Sequence, residues 1–457
     1  MKKTTMMMTM LSVLLAFTTA GCNSVSTDVS TSVAEEQTEN HSSAETSAEA
    51  SVRETITFDI NPDNTSSEFV SFSEESTSTA VTASYLSNST GMIDTTDLFS
   101  SRDLEQTADL TDAQYLTVSD NDTINITEAG VYVISGTAQE CNICIEANED
   151  AKIQLVLDGV NITNTDFPAV YVISADKVFI TTTGTENNLT VSGTFRADGD
   201  TNTDAVIYSK EDLVLNGTGT LNITSAVGNG ITSKDDMKFT GGTYTINAGK
   251  DAIEANDSIS ICGGTFTLNA NKDAMHCEND EAEGTVYIAD GTFTINSASD
   301  GIQATSILQI DGGTFNIKSA EGLEATCIQI NGGTLYIDAS DDGINATSKN
   351  SAYSVAVEFN GGDTTIIMGQ GDTDAVDSNG SIYVNGGTID ITAPTSSFDY
   401  DMSAEYNGGT IIINGEQVSE IPQSMMGGGG FGGGGNFGGG GFSGNPGGRG
   451  GFGNRTT

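Results

Sequence analysis

From about residue 110 onward, apolar and polar residues alternate in short runs, and the runs recur. One unit shows the pattern. Ile302 and Ala304 flank Gln303, Leu308 and Ile310 flank Gln309, and Phe315 and Ile317 flank Asn316. A period of two buries one face of a strand. Helical spacing is absent, and Val, Ile, Thr, Phe and Tyr fill the runs, as suits a pleated, half-buried surface. Each unit thus predicts three short strands joined by Gly-Gly or Asp-Gly corners, where glycine supplies positive φ.

The units repeat as a phrase. It reads Gly263-Gly264-Thr265-Phe266-Thr267-Leu268, then Gly312-Gly313-Thr314-Phe315-Asn316-Ile317, then Gly332-Gly333-Thr334-Leu335-Tyr336-Ile337. Shorter copies begin at Gly241, Gly386 and Gly408, and a degraded one reads Asp290-Gly291-Thr292-Phe293. A period of about 20–29 residues is that of a solenoid. The predicted fold is all-β, a right-handed parallel β-helix over about residues 94–421, with rungs roughly 4.8 Å apart. Like residues then stack inside it. Tyr244, Phe266, Phe293 and Phe315 form one expected ladder, and Ile246, Leu268, Ile295, Ile317 and Ile337 another. The pattern weakens upstream but persists in Ile153-Gln154-Leu155-Val156-Leu157 and Leu213-Val214-Leu215.

The flanks differ in character. Met1-Lys2-Lys3, an apolar stretch to Phe17 and Ala20-Gly21-Cys22 read as an export signal over residues 1–21. The ending resembles a bacterial lipoprotein box, with Cys22 as the lipidated N-terminus; ordinary cleavage that leaves a cysteine is the alternative. Residues 22–93, rich in Ser, Thr and Glu, have too little apolar surface to fold and suit a tether. Residues 422–457 form a Gly-rich tail that carries Phe431, Phe437, Phe442 and Phe452. Localisation is then extracellular, lipid-anchored to the outer face of the cytoplasmic membrane. A monomer is expected.

Charge narrows the partners. The formal net charge is −47, with only 16 basic residues. That excludes nucleic acid, and excludes anionic membrane as a partner of the main domain. The acids are also in register. Asp251, Asp273, Asp300, Glu321, Asp342 and Asp374 occupy one place in successive units, and Glu254, Glu324 and Asp377 follow three residues later. Gln303 and Asn345 take that second place elsewhere. Stacked carboxylates about 5 Å apart repel by roughly 3 kcal/mol per neighbouring pair at an effective dielectric near 20. Two arrangements relieve this. The carboxylates can bond corner N–H groups and spread outward, or hard cations can sit between rungs. Calcium takes six to eight oxygens, the ligands these turns offer. All nine acids are therefore candidate calcium ligands.

Tyr287, Tyr336 and Tyr383 lie between inward apolar neighbours, so their rings are expected outside, where sugar rings could stack. Cys141, Cys144, Cys262, Cys277 and Cys327 read as buried thiols, with Cys277 in the place that alanine holds in other units. His41 and His276 lie far apart in sequence, and no His-based triad or zinc site is expected from them.

The G-G-T-[FY]-x-[IL] phrases, phrases such as Asp300-Gly301-Ile302-Gln303-Ala304, and the Gly-rich tail together resemble a known family. These are the calcium-binding, carbohydrate-binding β-helix domains of surface and secreted proteins of Gram-positive bacteria. The resemblance implies a pectate-lyase-like fold, calcium held by the acidic corners from Asp251 to Asp377, and plant cell-wall polysaccharide as ligand, of the cellulose or polyuronate class. Three functions compete: a non-catalytic binder, a calcium-dependent polysaccharide lyase, and a structural spacer or adhesin. A lyase needs a basic residue to take the C5 proton. Lys250 and Lys272 adjoin the acid row, and Lys234 and Lys318 lie further off. With Tyr287 and Tyr383 on one sheet four units apart, an extended glycan along the axis is the expected ligand.

Overall fold

A computed structural model of the protein describes residues 92–279, 284–371 and 373–422. Among the described residues there are 34 strands and no helix. The leader, Cys22, the tether up to residue 91, His41 and the Gly-rich tail from residue 423 lie outside the described residues.

The strands build a parallel β-helix with three walls. The chain passes from one wall to the next and returns a rung higher. Ile307–Ile310 lies on the first wall, Thr314–Ser319 on the second and Glu321–Ala325 on the third. Each pairs in parallel with its counterpart one unit on: Ile307 with Cys327, Thr314 with Thr334, Leu323 with Ile344. The third wall stacks 12 strands, one per turn. Near the N-terminal end, longer strands such as Asp236–Ala248 bend through the corner between the first two walls.

That corner explains the Gly-Gly phrase. Gly313 and Gly333 have φ of 98° and 87°. A Cβ on Gly333 would also lie 2.8 Å from the carbonyl oxygen of Gly313 in the rung before. The stacked corners leave no room for a side chain, which adds a steric reason to the conformational one.

The interior ladders form as expected. Ring centroids of Phe266 and Phe293 are 4.8 Å apart, and those of Phe293 and Phe315 4.5 Å, stacked nearly parallel at 8° and 7°. Tyr244 stacks on Phe266 at 5.1 Å. Ile246, Leu268, Ile295, Ile317 and Ile337 are buried and in register. All five described cysteines are free. Cys277 points inward between Ala255 and Ala304, and burial raises its thiol far above the ordinary value. Among the described residues, the last strand pairing is antiparallel, Thr410–Ile413 with Glu416–Val418, which gives the edge of Thr410–Ile413 a partner.

Among the described residues, the first strand is Gln114–Thr117. Residues 92–106 precede it as a strap on the outside of the first wall. The Met92 N–H donates to Gln329 Oε1 at 3.1 Å, and the Ile93 N–H to Gln309 Oε1 at 2.9 Å. Further down, Gln106 Nε2 donates to the Thr240 carbonyl at 3.0 Å, and the Arg102 guanidinium lies 4.3 Å over Phe179. Phe99 packs on Tyr287 and Cys262.

Candidate functional site

The third wall carries the acids. Parallel pairing aligns Asp300 with Glu321 and Asp374 with Ser396, and the same offsets place Asp251, Asp273 and Asp342 in that row. A second row runs beside it through Thr232, Glu254, His276, Gln303, Glu324, Asn345, Asp377 and Asp399. Both proposed rows therefore exist, and all nine predicted acids lie on one stripe.

The first row is partly a corner motif. Asp251 Oδ1 accepts the Asp273 N–H at 3.0 Å, Asp273 Oδ1 accepts the Asp300 N–H at 3.1 Å, and Asp342 Oδ1 accepts the Asp374 N–H at 3.0 Å. One oxygen of each carboxylate thus satisfies the backbone of the next rung. The other oxygen remains for a counter-charge, and what it meets changes along the stripe.

Near Asp251 the counter-charge is supplied by the protein. His276 Nδ1 lies 2.9 Å from Asp273 Oδ2 and 3.9 Å from Asp251 Oδ2. Lys272 Nζ lies 3.2 Å from Asp273 and 3.3 Å from Asp251. His276 Nε2 faces Glu278 Oε2 at 3.1 Å. Burial alone would lower the histidine, but its bonds to Asp251 and Asp273 outweigh that and raise it to about 9. Despite the penalty of burial, Asp273 is pulled well below the usual carboxylate range by His276, by the Asp300 N–H and by Lys272. Glu254 is held by Lys234 at 3.0 Å, by the Thr232 hydroxyl at 3.1 Å and by Asn229. His276 was not expected in this site. Its signal was its place three residues after Asp273, where Glu254 follows Asp251.

Beyond that point the carboxylates face one another. One oxygen from each of Asp300, Glu321 and Glu324 lies within 4.8 Å of the others. Lys349 Nζ lies 2.7 Å from Glu324. Burial, then Asp273, Glu324 and Glu321, push Asp300 up to about 8. Burial, then Glu324 and Asp342, push Glu321 up to about 7, against a hydrogen bond from Asn345. Asp342 is raised to about 7 and Asp377 to about 6, first by burial and then by neighbouring carboxylates. Asn345 Nδ2 donates to Glu321 Oε2 at 3.0 Å, while its Oδ1 is buried with no hydrogen-bond partner. Crowded hard oxygens, with an orphaned amide oxygen on a residue bonded to one of them, fit a calcium ion. The Asp251–Asp273–His276 group fits it poorly, because imidazole and ammonium already fill the space.

The tyrosines fare differently from expectation. Tyr287 and Tyr383 do share an outward row on the first wall, four rungs apart through Gln309, Gln329 and Glu358. However, Tyr287 is only 2% exposed. Phe99 covers it, and its hydroxyl donates to Asp311 Oδ2 at 2.9 Å. It is not available to a sugar. Tyr383 is half-buried, and Tyr336 is exposed on the second wall.

All four lysines considered as lyase bases are ion-paired. Besides Lys272 and Lys234, Lys250 Nζ lies 3.4 Å from Asp204 and Lys318 Nζ 2.8 Å from Asp338.

The fold and the stripe define a long parallel β-helix with a row of acids on one wall. The chain belongs to the family of carbohydrate-binding domain-containing proteins, whose model matches residues 120–375, more than half of its 457 residues. A carbohydrate-binding domain-containing protein of Acetivibrio thermocellus is 36% identical over 136 residues, which are 29% of this chain and 47% of that relative. The match thus spans about half of the relative's length. A solved structure of a polysaccharide lyase-like protein from C. thermocellum, a gadolinium derivative, is 22% identical, with a TM-score of 0.31. The similarity covers 65% of this chain and 96% of that one.

Proposed function

We propose that this protein is a surface-anchored, non-catalytic binder of an extended polysaccharide, braced by calcium in its acidic stripe. Membership in a carbohydrate-binding family supports the ligand class. The observation that carries the non-catalytic reading is the pairing of the lysines beside the stripe. Lys234, Lys250, Lys272 and Lys349 each face a carboxylate within 3.4 Å. A lyase base must be unprotonated to accept the C5 proton. Burial would favour that form in Lys272, but Asp251 and Asp273 more than reverse it and raise its pKa. Lys318 is raised by its bond to Asp338.

Calcium would be held by Asp300, Glu321, Glu324 and the Asn345 carbonyl oxygen, with Asp342 in the next rung. It would neutralise carboxylates that the fold otherwise leaves crowded. Cys22, lipidated after export, would tie the domain to the outer face of the membrane.

The test is retention on insoluble cellulose, pectate and peptidoglycan, with absorbance monitored for unsaturated product. Retention on at least one polymer without product is expected. Product formation would make the protein a lyase, and failure to bind any polymer would remove the binding role.

A further inference from the structure

The second wall carries neither the strap nor the acidic stripe. Its outward residues form two neighbouring rows. One passes through Thr224, Asn247, Asn269 and Asn296, the other through Asn222, Thr245, Thr267 and Thr294. In a chain of net charge −47, these four successive rungs present amides and hydroxyls only. Charge returns at the ends, with Glu186 bonded to Asn222 at one side and the Lys318–Asp338 pair at the other.

The first of these rows opens into a cleft of about 260 Å³, lined by uncharged residues. Thr224, Asn247 and Asn296 project into solvent, and Asn269 is half-buried among them. Ala226, Gly249 and Asn271 at the neighbouring corner form its rim. Asn269 Nδ2 donates to Asn247 Oδ1 at 3.0 Å, which fixes the tilt of both amides. An amide has two donors and an acceptor with two lone pairs. One bond along the ladder therefore leaves most of that capacity turned outward. It recurs every rung, roughly 4.8 Å, about the length of one sugar unit in an extended chain. Tyr336 stands 41% exposed in the adjoining row, two rungs beyond Thr294.

The geometry points to this amide-lined cleft as the binding site for an uncharged, extended polysaccharide, lying along the helix axis with its hydroxyls on Asn247, Asn269 and Asn296 and one ring on Tyr336. The assignment rests on the carbohydrate-binding reading and adds the face and the charge class. The other walls argue for it by contrast. The strap covers much of the first wall, the third is taken up by the acidic stripe, and a net charge of −47 disfavours a polyanion. A neutral polymer loses no counter-ions on docking to the second wall, and fixed amides spend little side-chain entropy in meeting it.

The test uses the full chain against hydroxyethylcellulose and polygalacturonate in affinity electrophoresis, with melting temperature as the folding control. Wild type is expected to bind the neutral polymer more tightly. The Asn247→Ala/Asn269→Ala variant should lose about tenfold in affinity for it, as removal of two polar partners implies. The isosteric Asn269→Asp change should weaken neutral-polymer binding by losing the outward donor and the bond to Asn247 that fixes both amides. Full retention by both variants would overturn the site while the carbohydrate-binding reading survived. So would a wild-type preference for polygalacturonate. Failure of wild type to bind any polysaccharide would end both.

Discussion

The acidic stripe has two halves with the same backbone, the same register and the same first-row residue type. They are neutralised differently. Lysine precedes the acid at Lys250-Asp251 and Lys272-Asp273, whereas Ser299, Ala320, Asp341 and Thr373 precede the later ones. In the second row, His276 interrupts the early half, while Gln303, Glu324, Asn345 and Asp377 fill the late half. The early half therefore sets Asp251, Glu254 and Asp273 against Lys234, Lys272 and His276. The late half sets Asp300, Glu321, Glu324 and Asp342 against Lys349. The solenoid fixes only where a side chain is placed. Two positions per rung decide whether the wall carries its own cations or needs one from solution.

The largest expected effect comes from removing a cation of the early half. His276 is buried between two buried carboxylates. Taking away one partner of a buried ionic group leaves the others uncompensated, at a cost of about 3–5 kcal/mol. His276→Ala should lose about that much in urea unfolding, with or without calcium. A loss that calcium restores in full would mean that this half can also take the metal, and the contrast between the halves would collapse.

Calcium should act on the late half. Extracellular sites of this kind bind with Kd of about 10⁻⁴–10⁻³ M, and ligand at 100 times Kd stabilises by about 2.7 kcal/mol. EGTA should lower the melting temperature of wild type, and Asp300→Asn should shrink that drop while Asp251→Asn leaves it intact. The pH response separates the halves further. Asp300, Glu321, Asp342 and Asp377 have raised folded values of about 8, 7, 7 and 6. The fold thus holds protons that the unfolded chain has released. Stability from these groups is complete below the ordinary carboxylate range and is lost as pH rises through about 6–8. His276, also raised, contributes stability that is complete below about 6.5 and is lost as pH rises through about 9. Both halves weaken in alkali, at different pH, and calcium should abolish only the earlier loss. A single calcium-insensitive transition near pH 9 would count against the metal.

Much of this was legible in the sequence because a solenoid repeats its offsets. The stacked Phe266, Phe293 and Phe315 and the acid row follow from position within the unit alone. Tyr287 shows the limit. Alternation correctly turned it outward, but alternation cannot say what lies on top of it. The cover, residues 92–106, has no repeat and sits next to a polar stretch. Its trace was a group of large apolar residues, Ile93, Leu98, Phe99 and Leu104, which share one apolar cluster with Cys262 and Tyr287. His276 is legible only as an occupant of the second row, three residues after Asp273; as one of two histidines far apart in sequence it carries no signal.

The smallest effect sharpens the comparison most. Lys349 Nζ sits 2.7 Å from Glu324, both partly buried at 25% and 12% side-chain exposure. Without calcium it is the nearest relief for the Asp300–Glu321–Glu324 group, so Lys349→Gln should cost the metal-free protein on the order of 1 kcal/mol. With calcium the sign reverses. An ammonium beside a divalent ion repels it, and its removal also frees a Glu324 oxygen to coordinate. Calcium affinity should therefore rise severalfold, read by titration in the melting temperature or by calorimetry. In the early half, Lys272→Gln should destabilise more and gain little calcium binding, because His276 still occupies the space between Asp251 and Asp273. If Lys349→Gln instead weakens calcium binding, the lysine is holding the acids in their binding arrangement, and the two halves would differ in degree rather than in kind.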